Sequence, residues 1–283
     1  MTRLAGIIGH PVAHSLSPVF QGAAFRASGL DVAYEYWDTP PEALAGRLVS
    51  LRDPKYLGAN VTIPHKESVI PLLDELGGQS ARVGAVNTVV NREGRLFGFN
   101  TDGPGFVAAL RNEAGFEPSG RDILLIGAGG AARGIAFALA EAKSARIDIW
   151  NRTPERAIRL VEAVAATGAL VSAVTSLDPR RYDCIVNCTS VGMHGGGAES
   201  ASPCDFTGAR PTALAVDIVY APERTPFLTE AGRHGLKTLG GLPMLIYQGA
   251  LAFELWTGAR APVDIMFDAA RHELHRRQAG GQS

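Results

Sequence analysis

The stretch DILLIGAGGAARGIAFALAEAKSARIDIW, residues 122–150, decides the fold. An apolar run, Asp122–Ile126, leads into a glycine-rich turn. A helical pattern continues to about Ala142, and a second apolar run, Arg146–Trp150, follows it. This order predicts a βαβ unit, in which a helix joins two parallel strands. A strand that feeds a glycine turn at the start of a helix is typical of a Rossmann-type dinucleotide-binding domain.

The turn itself, residues 127–132, reads GAGGAA and fits the GxGxxA pattern of a pyrophosphate-binding turn. Gly127 allows the tight turn, Gly129 lets a pyrophosphate approach the backbone, and the small Ala132 permits close packing of helix on strand. The N-terminus of the helix adds amide donors and a partial positive charge. The alternative is a turn that merely packs, which the strand before it and the helix after it make the weaker hypothesis.

The end of the second strand, Trp150-Asn151-Arg152-Thr153, bears on which dinucleotide binds. An NAD site normally places Asp or Glu there to bind the ribose 2′-hydroxyl. This chain has Asn151 and Arg152 instead, with Arg156 one helical turn later. Because a planar guanidinium donates two hydrogen bonds to a phosphate at once, these residues favour NADP over NAD. The alternative is that both arginines are the solvated start of a helix.

Strand-like and helix-like segments alternate through the rest of the chain, which predicts an α/β protein with largely parallel sheets. A hairpin is expected from Ala85–Val90 and Leu96–Asn100, because Gly94 closes a turn-like segment between them. We also expect a helix over Asp74–Val83. The basic tail from Arg271 is expected to be a frayed helix end rather than a binding arm.

Two domains are inferred from this pattern. Residues 1–104 form the first, and residues 105–240, which hold the glycine turn, form the second. A long apolar helix over Leu242–Gly258 starts directly after Gly240 and Gly241. That helix could cross back to the first domain.

Composition excludes several classes of protein. The 283 residues are 46% hydrophobic and 19% charged, which is typical of a globular chain. The formal net charge of −1 gives no field that favours nucleic acid or an acidic membrane surface. No apolar stretch approaches the roughly 20 residues that span a bilayer. Three cysteines, with no secretion signal, predict a reducing compartment, so we expect a cytoplasmic protein.

Neither a metal site nor a redox pair is predicted. His10 and His14 have i, i+4 spacing, but Pro11 lies between them and argues against a helix there. Cys184 and Cys188 lack the CxxC spacing of a metal or redox pair, so buried packing is the favoured interpretation.

Polar residues follow several predicted strands, and each has a structural alternative. Ser15 and Ser17 lie two apart in an extended segment and could grip one carboxylate together, while Ser17 could also cap the next helix. Lys66 follows the strand Gly58–Ile63 and, taken alone, is an ordinary surface charge. Asp102 lies in a turn-like segment at the end of another strand, a place where ligands bind in open α/β sheets.

Together these motifs resemble the shikimate dehydrogenase family over nearly the whole chain. The matching stretches, in the family's order and spacing, are GHPVAHSLSP, GANVTIPHK, GAVNTVV, GFNTDGPGF, LIGAGGAARG, NRTPERA, NCTSVGM, DIVYAPERTPF and GLPMLIYQGALAFELWTG. The resemblance implies NADPH-dependent, reversible reduction of 3-dehydroshikimate to shikimate, in the route to chorismate and the aromatic amino acids. It also implies a substrate-binding domain with a mixed, mostly parallel sheet (1–104, completed by helices in 241–283), a Rossmann-type NADP domain (105–240), and a cleft between them.

The same resemblance implies the site residues. Lys66 and Asp102 become the catalytic pair: Lys66 would stabilise the developing oxyanion and donate the proton, and Asp102 would hydrogen-bond the lysine and a substrate hydroxyl. Whether Lys66 gives up the proton or only holds the charge is left open. The substrate contacts implied are Ser15 and Ser17 at the carboxylate, and Thr62, Asn87, Asp102, Tyr220 and Gln248 around the ring hydroxyls. The cofactor contacts implied are Gly127, Ala128, Gly129, Gly130 and Ala131 at the pyrophosphate, Asn151, Arg152, Thr153 and Arg156 at the 2′-phosphate, Thr189, and Ile218 and Gly241 near the nicotinamide.

Three other functions stay open at this point. A related dehydrogenase could act on quinate or on an amino analogue with the same residues. A methylene-tetrahydrofolate dehydrogenase has a similar two-domain layout, but that family has a tyrosine where this chain has Thr62. A ligand-sensing module without turnover could lose Lys66 or Asp102, and this chain retains both. The oligomeric state, monomer or homodimer, is open as well.

Overall fold

The structure, a computed structural model, describes residues 2–195 and 197–280. The chain divides into two compact units, one of Met1–Thr101 with Ile246–Ser283 and one of Asp102–Leu245. Among the described residues, no helix is both long enough and apolar enough to cross a membrane. No cluster of three or more His, Cys, Asp or Glu side chains within those residues is arranged to hold a metal ion.

The elements are numbered along the chain. The strands are β1 (Arg3–Gly9), β2 (Val32–Asp38), β3 (Tyr56–Val61), β4 (Glu75–Leu76), β5 (Thr88–Arg92), β6 (Arg95–Phe99), β7 (Asp122–Ile126), β8 (Arg146–Trp150), β9 (Val171–Ala173), β10 (Cys184–Asn187), β11 (Leu214–Asp217) and β12 (Lys237–Leu239). The helices are α1 (Ser17–Ala27), α2 (Leu44–Ser50), α3 (Ser80–Val83), α4 (Asp102–Ala114), α5 (Gly130–Glu141), α6 (Pro154–Ala165), α7 (Pro226–Arg233), α8 (Leu242–Thr257) and α9 (Val263–Gly280). Single 3₁₀ turns lie at Pro41–Ala43, Ile70–Leu72 and Pro179–Arg181.

The first unit is built on a mixed sheet with the strand order β2-β1-β3-β5-β6-β4. β1 pairs in parallel with β2 and β3, whereas β5 pairs antiparallel with β3 and β6. The strands β5 and β6 form the predicted hairpin, and its tight turn is made by Glu93 and Gly94 at positive φ.

Apolar side chains hold the first unit together on both faces of this sheet. One cluster contains Ile8, Trp37, Leu48 and Leu96, all of them buried. On α1, Phe25 packs against Phe253 of α8 with ring centroids 5.1 Å apart, and α9 lies along α1. Each fully buried side chain of this size contributes about 1.5–3 kcal/mol. The pairing of α9 with α1 brings the last turns of α9 next to the segment that follows β1.

The second unit is built on a parallel sheet with the strand order β12-β11-β10-β7-β8-β9. Here β7, α5 and β8 form the βαβ unit predicted from residues 122–150, with β7 and β8 in parallel register. The core below the sheet includes Ile126, Ile185, Phe206 and Phe227, and the last two rings lie 5.0 Å apart. The predicted α/β class with one mixed and one parallel sheet is therefore confirmed.

A close approach between α4 and α5 fixes the start of α4. A Cβ placed on Gly103 would collide with the carbonyl oxygen of Gly134. Only glycine lets the two helix backbones come this near, so Gly103 anchors the first turn of α4 against α5. The first residue of that turn is Asp102.

The sequence-based expectation for residues 74–83 differs from the structure. The helix expected over Asp74–Val83 is wrong, because Glu75–Leu76 forms a strand that pairs with β6 and only Ser80–Val83 is helical. A Cβ on Gly77 would strike the ring of Phe99, so the glycine lets the chain turn closely over that ring. The tail from Arg271 belongs to α9 as far as Gly280, and the rest of the expected frayed end, residues 281–283, lies outside the described residues.

Candidate functional site

The loop between β1 and α1 carries the two candidate carboxylate-binding serines. Ser17 is the first residue of α1 and Leu16 is its N-cap, so the expectation that Ser17 caps the helix is wrong. Instead, the Ser17 amide donates to the Ser15 hydroxyl at 3.1 Å. Ser17 is buried, and its side chain is hydrogen-bonded to Tyr34. Because Ser15 Oγ accepts from an amide, its own O–H can donate to a carboxylate.

Tyr34 opens a hydrogen-bond network that runs into the sheet of the first unit. Its hydroxyl donates to Asn60 Oδ1 at 2.7 Å, and Asn60 Nδ2 donates to the Asn87 carbonyl and to Thr88 Oγ1, both at 3.3 Å. Burial raises the pKa of Tyr34 well above its usual value, so the phenol stays protonated and keeps donating. The network therefore links the serine loop to the strand that carries Asn87.

Asn87 is the centre of this network and is itself buried. Its Nδ2 donates to Thr101 Oγ1 at 2.8 Å and to Gln248 Oε1 at 3.1 Å, while its Oδ1 accepts from the Thr101 amide at 2.7 Å. Gln248 lies on α8, 161 residues after Asn87 in the chain. Two of the predicted substrate residues, Asn87 and Gln248, are thus in direct contact.

Lys66 lies in the loop that follows β3, which ends at Val61, two residues before the end predicted from sequence. The loop is held from several sides. The His65 amide donates to the Thr62 carbonyl at 2.8 Å, the Val86 amide donates to the Lys66 carbonyl at 2.7 Å, and His65 Nε2 donates to the Thr39 carbonyl at 2.6 Å. Because a carbonyl only accepts, His65 carries a proton on Nε2. The Lys66 side chain is half-buried rather than fully solvated.

Asp102, the other candidate catalytic residue, begins α4 in the second unit and is buried. The sequence predicted a turn at this point, but Asp102 already lies in the first turn of the helix. A carboxylate at a helix N-terminus is stabilised by the amide groups and the dipole there. Since Gly103 packs this turn against α5, the backbone from which the Asp102 side chain projects is fixed by a close helix pair.

The glycine turn meets the requirements of a pyrophosphate site. Gly127 has a φ of 116°, and a Cβ on it would lie 3.1 Å from the Cys188 carbonyl oxygen. The space beside Gly129 is open, because a Cβ there would meet no atom within 4 Å. The Gly130 and Ala131 amides follow at the start of α5. The backbone is therefore accessible where a phosphate would approach it, and the helix N-terminus favours its charge.

Asn151 ties this turn to the residues that follow β8. Its Oδ1 accepts from the Ala128 amide at 3.1 Å, and its Nδ2 donates to the Thr153 carbonyl at 2.8 Å. Arg152, Thr153 and Arg156 are exposed, and Thr153 is the N-cap of α6. The guanidinium groups of Arg152 and Arg156 thus belong to a segment that is hydrogen-bonded to the glycine turn, as an adenosine-phosphate site needs.

A second buried network supports the other predicted cofactor residues. Asn187 Oδ1 accepts from the Thr189 amide at 3.0 Å and from its hydroxyl at 2.7 Å, and Asn187 Nδ2 donates to Asp217 Oδ1 at 3.0 Å. Asp217 also accepts from the Val219 amide at 3.0 Å and from the Thr225 hydroxyl at 2.6 Å. Burial raises the pKa of Asp217 above its usual value.

The Asp217 network also orders the segment after β11, which contains Ile218 and Tyr220. The Gly241 amide donates to the Val219 carbonyl at 3.2 Å, and a Cβ on Gly241 would collide with the Ile218 carbonyl. Thus Ile218 and Gly241 lie side by side, next to the strand end that bears Thr189.

The predicted site residues divide between the two units. Ser15, Ser17, Thr62, Lys66, Asn87 and Gln248 belong to the first unit, and Asp102, Tyr220 and all the predicted cofactor residues belong to the second. Sequence reasoning missed the side chains that hold these groups in place. These are Tyr34, Asn60, His65 and Asp217. One signal was present: Asn60 is a polar residue inside an apolar strand, and such a residue needs a partner when it is buried.

Comparison with known proteins identifies the family. Residues 7–89 match the family described as the shikimate dehydrogenase substrate binding domain, residues 110–221 match shikimate / quinate 5-dehydrogenase, and residues 241–271 match the shikimate 5'-dehydrogenase C-terminal domain. The chain belongs to the shikimate dehydrogenase family. It is 45% identical to the shikimate dehydrogenase (NADP(+)) of Moorella thermoacetica over 287 residues, which cover 99% of this chain and 96% of the relative.

Solved structures of family members agree with this assignment. A shikimate 5-dehydrogenase from Thermus thermophilus, in complex with NADP(H) and shikimate, superposes with a TM-score of 0.87. It is 47% identical, and the match covers 96% of this chain and 99% of that one. A quinate dehydrogenase from Corynebacterium glutamicum in complex with NAD superposes with a TM-score of 0.85 at 30% identity, covering 95% and 98% of the two chains. Family members with this fold therefore differ in substrate and cofactor.

Proposed function

We propose that this protein catalyses the NADPH-dependent, reversible reduction of 3-dehydroshikimate to shikimate, a step in the biosynthesis of chorismate and the aromatic amino acids. The observation that carries the proposal is near full-length similarity, at 42–47% identity, to relatives named shikimate dehydrogenase (NADP(+)). The presence of Lys66 and Asp102 argues against a ligand-sensing module that has lost turnover.

The proposed substrate site is the hydrogen-bond network of the first unit. Ser15 and Ser17 would donate to the substrate carboxylate, and Asn87, Gln248 and Thr62 would contact the ring hydroxyls. This is supported by the contact between Asn87 and Gln248 and by the Ser17–Tyr34–Asn60 connection. Side chains that are fixed before the substrate arrives lose less conformational entropy on binding, so such a network favours affinity.

The proposed chemistry centres on the substrate carbonyl oxygen. NADPH, when bound, would supply the hydride, and the carbonyl oxygen of the substrate would gain negative charge that the protein has to stabilise. Lys66 would stabilise that oxygen with its ammonium group and give it a proton, while Asp102 would accept a hydrogen bond from a substrate hydroxyl and orient the ring. Tyr220 is the further proposed contact with the substrate, from the segment after β11.

The proposed cofactor site follows the geometry of the second unit. Gly127–Ala131 would bind the pyrophosphate with backbone amides, and Asn151, Arg152, Thr153 and Arg156 would bind the adenosine 2′-phosphate. Thr189, Ile218 and Gly241 would line the nicotinamide end. The open space beside Gly129 and the hydrogen bond between Asn151 and the Ala128 amide support this placement.

A spectrophotometric assay at about 340 nm tests the function, because NADPH absorbs there and NADP⁺ does not. Shikimate and quinate are each tested with NADP⁺ and with NAD⁺. We expect the highest kcat/KM for shikimate with NADP⁺. A higher kcat/KM for quinate would make the protein a quinate dehydrogenase of the same family, and no turnover of either substrate would refute the proposal.

Replacing Arg152 with alanine is expected to raise the KM for NADPH about 10- to 100-fold, because hydrogen bonds to a charged phosphate contribute about 1.5–3 kcal/mol. The KM for NADH should stay nearly unchanged, since NADH has no 2′-phosphate. Arg159→Ala is the matched control, as Arg159 is an exposed arginine on α6, seven residues further along the chain. Equal losses for both cofactors would show that Arg152 does not recognise the 2′-phosphate.

The proposed location is the cytoplasm, and the proposed assembly is a monomer or a homodimer. The location is supported by the cysteines, since Cys184, Cys188 and Cys204 are all buried free thiols. Free thiols without a disulfide framework are typical of a reducing compartment.

A further inference from the structure

The last helix, α9, ends in a basic stretch that reaches the loop carrying Ser15. Arg277 Nη1 donates to the His14 carbonyl oxygen at 2.7 Å, and Arg277 Nη2 donates to the Ser15 carbonyl oxygen at 3.4 Å. The arginine lies 262 residues beyond Ser15 in the chain. One planar guanidinium therefore donates to two successive carbonyls. This arrangement needs the several N–H donors that arginine holds in one plane, and the ammonium group of a lysine would not reproduce it.

Arg277 is itself held by a carboxylate on the same helix. Glu273 is mostly buried, with 12% of its side chain exposed, and its Oε1 accepts from Arg277 Nε at 2.7 Å. Arg276 binds the same carboxylate through Nε and Nη2, at 2.7 and 2.8 Å. Hydrogen bonds from Arg276 and Arg277 lower the pKa of Glu273 to about 2. Glu273 is therefore ionised near neutral pH and serves as a charged acceptor for Arg277.

The Ser15 backbone has one further tie. Tyr36 donates its hydroxyl to the Ser15 carbonyl at 3.1 Å, from the edge strand β2, and the Ser17 amide donates to Ser15 Oγ. Tyr36 is 42% exposed, so water competes for its bond. Arg277 provides the charged contact, and its bond to Glu273 fixes the direction of its guanidinium.

We infer that Arg277 is a positioning residue for substrate binding: by holding the His14 and Ser15 carbonyls, it fixes the direction in which the Ser15 hydroxyl donates to the substrate carboxylate. This inference rests on the proposed function, because it takes Ser15 as a carboxylate contact. Without Arg277, the loop has to be ordered each time a substrate binds. That cost falls on substrate affinity rather than on the chemical step.

The test compares Arg277→Ala with Arg276→Ala in the full-length protein. Arg276 is the matched control, since it is the neighbouring arginine on the same carboxylate and its described bonds go to Glu273. We expect Arg277→Ala to raise the KM and the calorimetric Kd for shikimate about tenfold, with kcat and the KM for NADP⁺ changed less than about twofold. Arg276→Ala should leave all four values near wild type.

A double-mutant cycle with Ser15→Ala shows whether Arg277 acts through Ser15. In the Ser15→Ala background, the further effect of Arg277→Ala on the shikimate Kd should shrink to less than about twofold, because residues that act as a unit are not additive. Arg277→Lys keeps the positive charge but loses the paired N–H donors of the guanidinium group. Its Kd for shikimate should lie between those of wild type and Arg277→Ala. The lysine variant also keeps the test decisive if the alanine variant folds poorly.

The outcomes separate the two proposals. Suppose that the wild-type protein is active. If Arg277→Ala and Arg276→Ala then have the same KM and Kd for shikimate, or if the effects of Arg277→Ala and Ser15→Ala on the shikimate Kd are fully additive, the role of Arg277 is overturned and the proposed function stands. A wild type that turns over neither shikimate nor quinate overturns the proposed function itself, and the role of Arg277 with it.

Discussion

Replacing Lys66 with alanine is expected to lower kcat for shikimate oxidation about 1,000-fold, while the KM for shikimate rises less than about fivefold. The negative charge on the reacting oxygen is largest near the transition state, so the ammonium group of Lys66 contributes little to ground-state binding. An interaction that strengthens on the way to the transition state appears in kcat. This is the largest effect on activity that we expect from a single substitution.

The loop around Lys66 should survive this substitution. Three anchors of the loop do not use the Lys66 side chain: the bond between the His65 and Thr62 backbones, the bond from the Val86 amide to the Lys66 carbonyl, and the bond from the His65 ring to the Thr39 carbonyl. These bonds remain possible in the alanine variant. A thermal midpoint within about 3 °C of wild type, a shift of less than about 1 kcal/mol, would show that the loss of kcat is not a loss of fold.

Lys55→Ala is the matched control, because Lys55 is an exposed lysine directly before β3 and Lys66 follows the other end of that strand. It should keep wild-type kcat. A Lys66→Ala variant with near-normal kcat would contradict the catalytic assignment. Lys66→Arg separates the two possible roles, since arginine keeps the charge but holds its proton too tightly to donate it. Activity within about tenfold of wild type would make Lys66 mainly an electrostatic anchor, and a loss as deep as that of alanine would favour proton donation.

The part of the fold that could be predicted from sequence is local in the chain. The β7–α5–β8 unit lies within residues 122–150, and its apolar periodicity and glycine turn need no distant partner to be recognised. The helix expected over Asp74–Val83 failed because distant contacts decide that segment. Glu75 pairs with Phe97 on β6, and Gly77 lies under the ring of Phe99. Local preference is weak where tertiary pairing competes with it.

The candidate site divides in the same way. Lys66, Asp102 and the glycine turn lie in recognisable motifs, so the resemblance could name them. The side chains that hold the site could not be named, since their partners are far apart in sequence: Tyr34 and Asn60 are separated by 26 residues, Asn87 and Gln248 by 161, and Ser15 and Arg277 by 262. A motif describes one segment of the chain, and a hydrogen bond between segments becomes visible only when the fold brings them together.

Replacing Asp217 with alanine is expected to be the most damaging single change to stability in the second unit, at about 3 kcal/mol. The carboxylate is fully buried and accepts from Asn187 Nδ2, the Val219 amide and the Thr225 hydroxyl. Alanine leaves these donors buried without their acceptor, and each loss costs about 1–3 kcal/mol. The sum is partly offset, because the raised pKa of Asp217 shows that burial already penalises its charged form. A lower urea midpoint measures the effect.

Asp205→Ala is the matched control for Asp217→Ala. Asp205 Oδ1 accepts from the Thr207 amide at 2.9 Å and from its hydroxyl at 2.7 Å, but Asp205 is exposed, so water replaces it and the loss should be below about 1 kcal/mol. Asp217→Asn should cost about half as much as alanine, because its remaining oxygen still accepts from Asn187 and Val219. Asp217→Ala should also raise the KM for NADPH, since Thr189 is oriented through Asn187. Equal urea midpoints for the Asp217 and Asp205 alanine variants would show that burial does not increase the stability lost with the carboxylate. The Asn187–Asp217 network would then not be what orders Thr189 and Ile218.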